Sequence, residues 1–215
     1  MPMKAKKHTQ PGPDLSLETA VRETNARGIV AGVDEAGRGP WAGPVVASAV
    51  ILDATNIPDG LNDSKKLSPQ KRARLFDQIK ASASFGVGWA SVEEIDEINI
   101  LAATMLAMRR AVADLPIIPN TILVDGNRDP GMDIPTKCII KGDGKSLSIA
   151  AASIIAKVTR DRYMAELSQQ FPDYGWEKNA GYGVPKHQDA LKLVGISPFH
   201  RKSFAPIAKI LNEES

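Results

Sequence analysis

Hydrophobic and polar positions alternate between two periods along this chain, and the switches mark its elements. Residues 14–27 carry Leu15, Leu17 and Val21 among charges. They predict a short helix, with Ser16 as a possible cap, Glu18 in its first turn and Gly28 after its end. The apolar run 29–33 and the β-branched stretch 44–52 predict two strands. Asn62 to Ser68 is a polar loop, and Pro69 opens a helix to about Ser82. Residues 85–92 predict a third strand. Residues 98–115 predict a helix, with Leu101, Met105, Met108 and Val112 at helical spacing. Short strands follow at 121–124 and 136–141, then a long helix at 146–171. Its first part, 147–158, is apolar or small nearly all round and predicts deep burial; its second part is charged and predicts a surface. Beyond it lie loops and two short helices near 186–194 and 206–212. The pattern predicts an α/β fold, a mixed sheet of about five strands flanked by helices, with a small helical C-terminal element.

Composition narrows the classes of function. The 215 residues carry a net charge of +2, with 43% hydrophobic and 24% charged residues, which is ordinary for a globular chain. The single cysteine, Cys138, forms no internal disulfide and fits a reducing, cytoplasmic setting. The start is basic and lacks the apolar core of a signal peptide, and no stretch is long and apolar enough to span a bilayer, so no membrane role is expected. A charge of +2 does not identify a nucleic-acid binder. The basic residues nonetheless cluster at Lys65-Lys66, Lys71-Arg72-Arg74, Arg109-Arg110, Lys141/Lys145, Lys157/Arg160/Arg162, Lys186-His187 and His200-Arg201-Lys202. Each alone reads as a solvated face; gathered on one surface they would bind phosphates.

The acidic residues carry the chemistry. Asp34 and Glu35 end the first strand, Asp125 ends the fourth, and Asp143 stands between Gly142 and Gly144 just past the fifth. Sites in sheets of this class gather at strand ends. Carboxylates converging there repel by about 4 kcal/mol per pair at 4 Å for an effective dielectric near 20, and a hard divalent cation resolves the repulsion. Taken singly, Asp125-Gly126 and Asp143-Gly144 read as turn formers. Neighbours on a strand point to opposite faces, so Asp34 and Glu35 are expected to share a site only if Glu35 has left the strand. Gly37-Arg38-Gly39 follows, a turn whose backbone N–H groups can approach a phosphate or sugar.

The stretch Gly32-Val33-Asp34-Glu35-Ala36-Gly37-Arg38-Gly39-Pro40 resembles the signature of the ribonuclease HII family. Asp63-Ser64-Lys65-Lys66-Leu67, Val124-Asp125-Gly126-Asn127, Lys141-Gly142-Asp143, residues 153–161, Gly181-Tyr182-Gly183 and residues 200–204 are similar to its other motifs, in order. The resemblance implies an RNase H-like catalytic domain over 28–171. A substrate-contacting element over 172–215 and an N-terminal extension over 1–27, partly disordered with a short helix, complete the layout. It implies a metal site at Asp34, Glu35, Asp125 and Asp143 holding two Mg2+ or Mn2+ ions. Gly37, Arg38 and Gly39 would recognise a ribonucleotide through its 2′-hydroxyl, and Tyr182 would pack on the next sugar. Tyr182 alone reads equally as a loop anchor; Lys65 and Lys66 read as phosphate contacts or a solvated pair; Trp41 shapes the turn. Asp161 is read as a helix-surface charge near Arg160 and Arg162. Val184-Pro185-Lys186 departs from the threonine-containing segment of many members, and no role is assigned to His187. The implied partners are RNA–DNA hybrids and duplex DNA containing ribonucleotides; a sliding clamp is a further candidate partner that the sequence does not settle, and a monomer is expected. Rival readings are another nuclease of this fold, such as a junction resolvase, and a non-catalytic nucleic-acid-binding module.

Overall fold

The computed structural model describes residues 12–24 and 28–213, so the rest of the extension, including 25–27 of its expected helix, lies outside the described residues. Strands β1 (Val30–Ala36), β2 (Val45–Leu52), β3 (Ala83–Ala90), β4 (Thr121–Asp125) and β5 (Thr136–Ile139) form one mixed sheet in the order β3-β2-β1-β4-β5. β1 to β3 pair antiparallel, whereas β1, β4 and β5 run parallel. β1 therefore separates an antiparallel half from a parallel half.

Helices α1 (Ser16–Thr24), α2 (Pro69–Ser82), α3 (Val92–Ala113) and α4 (Leu147–Gln170) flank the sheet. Alternation along the strands decides which helix covers which face. Ala31, Val33, Val45, Ala47 and Ala49 pack with Ile95, Ala107, Met108 and Ala111 of α3. Val50 and Leu52 pack with Leu75 and Ile79 of α2 and with Ala151 and Ile155 of α4. Gly32 lies where α4 passes close to β1; a Cβ there would overlap the backbone of Ser148 and Ile149. No helix among the described residues is long and apolar enough to cross a membrane.

Two expectations about elements change. The strand expected to reach residue 92 ends at Ala90, and α3 begins at Val92, six residues before the expected start. Ser91 and Glu94 close a capping box there: Glu94 N–H donates to Ser91 Oγ and Ser91 N–H to Glu94 Oε2. The helix then kinks at Asn99 (φ 67°), whose Oδ1 accepts from Leu101 and Ala102 N–H and restarts it. The second half of α4 is not simply a surface. Arg160, Met164, Leu167 and Ser168 are buried beneath the C-terminal element. That element comprises a 3-10 turn at Pro172–Tyr174, α5 (Trp176–Asn179), α6 (Pro185–Val194) and α7 (Ala205–Glu213). Tyr174, Trp176, Leu191 and Ile207 join Met164 and Leu167 in a separate apolar cluster. Burying them is what holds the C-terminal segments over the end of β1.

Candidate active site

β1 and β4 last pair at Val33 with Val124, so Asp34 and Asp125 are the next residues on two adjacent parallel strands. Beyond this point β1 continues against β2 only, with Asp34 opposite Ser48 and Glu35 opposite Ala47. Glu35 thus remains on the strand, contrary to the expectation that it must leave it. The free edge, rather than a break, admits both side chains: Glu35 N–H turns to Asp34 Oδ1 (2.7 Å), and both residues line one cleft. Asp143 reaches the same cleft from a 3-10 turn, Gly142–Gly144, between β5 and α4. Gly142 N–H donates to Asp125 Oδ1 at 2.6 Å, tying the β4 acid to the turn that carries Asp143.

The cleft is electrostatically tense. Burial, then the charges of Glu35, Asp125 and Asp143, raise the Asp34 pKa well above its usual value. Burial is also the main cause raising Glu35, opposed by Arg38. Burial and Asp63 raise Asp143 to about 6. Positive groups share the space: Arg38 Nη1 stands 3.6 Å from Glu35 Oε1, and Asp34, Asp63, Asp143 and Glu35 all act to keep Lys65 protonated. Among the described residues no three acidic, histidine or cysteine side chains close into a ready metal cage. The acids are within electrostatic reach of one another without forming a preset ligand cluster. An oxygen-only donor set with excess, partly buried negative charge suits a hard divalent cation.

Beside the acids, residues 37–44 fold back over two buried arginines, each from one of the basic clusters of the sequence. Arg160 donates to the carbonyls of Pro44 (2.8 Å), Ala180 (2.9 Å) and Ala42 (3.0 Å). Arg201 donates to those of Gly37 (2.6 Å), Arg38 (3.1 Å) and Gly43 (2.7 Å). Gly37 has φ +99°, and a Cβ there would overlap the Arg160 guanidinium. Burial lowers the two arginines to about 10 and about 9, so both stay charged at neutral pH, satisfied by carbonyls instead of carboxylates. These bonds draw the carbonyls inward and hold the turn at the cleft wall. The Tyr182 ring closes the far side, 46% exposed, against Gly39.

Other expected residues separate. Lys65 lines the cleft, and with Lys66, Lys141 and Lys145 it also lines an adjoining groove that reaches Asp125 and Asp143. Asp63, absent from the expected set, caps the turn bearing the lysines by accepting from Lys65 N–H. Asp161 pairs with Lys157 (2.6 Å) and Arg72 (3.6 Å), on α4 and α2. His187, His200 and Arg201 are fully buried and present no basic surface. Trp41 stands against Gly183, and its carbonyl accepts from Arg201 N–H, so it does shape the turn. Nothing in spacing marks Arg160 or Arg201; only their partners, distant in sequence, give them a role.

Comparison with known proteins bears on the whole chain. The family model described as ribonuclease HII matches residues 31–207. A ribonuclease HII of Ruegeria sp. (strain TM1040) is 58% identical over 205 residues, covering 94% of this chain and 88% of that protein. Among solved structures, ribonuclease H2 from Pyrococcus horikoshii superposes with a TM-score of 0.72 at 33% identity, covering 86% of this chain and 97% of the other. The RNase HII of a PCNA:RNase HII complex from Archaeoglobus fulgidus gives 0.64 at 28% identity, covering 82% and 95%. The match runs from β1 through the arginine-braced turn to α7, and the chain belongs to the ribonuclease HII family of RNase H endonucleases.

Proposed function

We propose that this chain cleaves the RNA strand of RNA–DNA hybrids and incises duplex DNA on the 5′ side of single embedded ribonucleotides, leaving 3′-hydroxyl and 5′-phosphate ends. The observation that carries the reading is the adjacency of the β1 and β4 acids to a backbone turn braced from beneath. Asp34, Glu35, Asp125 and Asp143 would hold Mg2+ or Mn2+, two ions in the full arrangement. Such ions, when bound, activate water and stabilise charge on the phosphate.

The chain's own residues do the rest. The braced turn, Gly37, Arg38 and Gly39, presents backbone to the sugar and selects the 2′-hydroxyl that DNA lacks. A rigid site built for a hydroxyl discriminates against its absence by up to roughly 10⁴–10⁵-fold. Tyr182 packs on the following deoxyribose, and Lys65 and Lys66 place the backbone. The deciding experiment incubates purified protein with a DNA duplex containing one ribonucleotide, with Mg2+, Mn2+ or chelator. Incision beside that ribonucleotide, dependent on cation, is expected. Equal cutting of an all-DNA duplex sinks the reading.

By likeness to the Archaeoglobus protein, a sliding clamp is a proposed partner. Co-elution of the chain with its own host's clamp is expected on gel filtration; separate elution at micromolar concentrations removes the proposal.

A further inference from the structure

Two buried histidines beneath the Tyr182 loop have no part in the scheme above. His187 Nδ1 lies 3.0 Å from the Tyr182 carbonyl, and His187 Nε2 lies 2.9 Å from His200 Nε2. Trp176 Nε1–H also points at His187 Nε2 (3.3 Å). At the far end, Ser197 N–H donates to His200 Nδ1 (2.8 Å). The partners fix every proton. A carbonyl only accepts, so His187 carries its hydrogen on Nδ1. An indole and a backbone N–H only donate, so His187 Nε2 and His200 Nδ1 are bare. His200 must then hold its hydrogen on Nε2 and donate to His187. The chain of bonds runs one way, from Ser197 to Tyr182, and admits no extra proton.

The loop it ends on needs such an anchor. Tyr182 sits between glycines, and Gly181 has φ +85°. Its carbonyl accepts from both Val184 N–H and His187. We propose that the His187–His200 pair is a positioning element for Tyr182, setting where its ring stands at the cleft. This rests on the proposed sugar-packing role of Tyr182. The pair is faced by Tyr174, Trp176 and Trp41 rings and by Ser197. Burial, with His187 as the neighbouring charge, pushes His200 down to about 4, and burial lowers His187 as well. A lowered histidine pKa means the unfolded chain binds the proton better. The anchor's stabilisation is therefore complete above the usual 6.5 and is lost as pH falls toward 4.

Two measurements test this. Nitrogen NMR of ring-labelled histidine, on the unaltered protein, reads the tautomers directly; the chain has three histidines, and His8 lies outside the described residues. One neutral Nδ1–H ring and one neutral Nε2–H ring are expected at neutral pH. His187 in the Nε2–H form at neutral pH overturns the proposal. The second measurement is kinetic. His187→Ala should lose about 10-fold in kcat on the single-ribonucleotide duplex, with the duplex Kd unchanged within about twofold. His187→Asn, which can offer an N–H to the same carbonyl, should recover most of the loss. His187→Ala added to Tyr182→Ala should cost nothing further. If Tyr182→Ala itself is harmless, the sugar-packing reading fails and takes the proposal with it. If Tyr182→Ala is harmful and the two losses simply multiply, the positioning proposal alone fails.

Discussion

Asp34 is an acid whose ionised form works against the fold. It is buried beside three other carboxylates, so its pKa is raised. A raised acid pKa means the native state holds the proton better, so stability is lost as pH rises from the usual 3.8 through the folded value. Asp34→Asn removes the charge and keeps the shape. In chelator at pH 7 the variant should melt higher than the unaltered chain, by about 1 kcal/mol of stability. It should also lose about 10³-fold in cleavage with cation present. Calorimetry and single-turnover kinetics check the two halves. A variant that is less stable and cuts normally would remove Asp34 from the site. These acids were legible in the sequence because a charged pair at the end of an apolar strand has few inexpensive structural explanations. Arg160 and Arg201 were not, since their partners are backbone carbonyls 116 and 164 residues away for the closest bonds to Pro44 and Gly37.

Among the elements, α1 and α4 are joined through one side chain. Glu18 Oε1 accepts from Ser146 Oγ (2.6 Å), Ser148 Oγ (2.6 Å) and Ser148 N–H (2.9 Å), at the N-terminus of α4. Asp14 and Ser146 add a parallel bridge, with Leu147 N–H donating to Asp14 and Asp14 N–H to Lys145. A carboxylate at that position satisfies free N–H and hydroxyl donors and complements the helix dipole. Glu18 is nearly fully buried, and its removal would leave those donors unpaired. Glu18→Ala should cost about 2 kcal/mol in urea unfolding, and Glu18→Gln, which keeps an acceptor oxygen, clearly less. Equal stability of all three proteins would mean α1 does not hold α4. The sequence placed a helix and Glu18 in its first turn, but assigned the segment to an extension outside the catalytic core. No local pattern could show a contact 128 residues along the chain. The early start of α3 was different. Ser91 and Glu94 stood at capping-box spacing, and the alternation through residue 92 hid them.

At the scale of the whole molecule, a net charge of +2 says little about where charge lies. Strand order was equally out of sight: β1 pairs with β4 some ninety residues later, and that adjacency brings separate basic loops to one groove. Arg38, Lys65, Lys66, Lys141 and Lys145 border the acids; Lys157 also lines the cleft but is paired with Asp161, and Arg110 and Lys192 are committed to Glu94 and Asp189 elsewhere. If five bordering cations each displace a counterion from the duplex, log Kd should rise with log salt at a slope of about 4 to 5. The lysines should not contribute equally. Lys66 has a side chain 64% exposed, with only a loose approach to Asp63 at 4.0 Å, so its charge is free for phosphate. Lys65 is surrounded by Asp34, Asp63, Asp143 and Glu35, which already compensate it. Lys66→Ala should therefore lower the slope by about 0.9 and leave turnover of bound substrate intact. Lys65→Ala should lower the slope less and disturb turnover more, since the acids lose an ammonium that interacts with Asp34, Asp143 and Glu35. Fluorescence anisotropy across a salt series, with chelator present to block cutting, measures the slopes. A slope near zero for the unaltered protein, or identical effects of the two substitutions, would mean the groove beside the acids does not carry the nucleic-acid backbone.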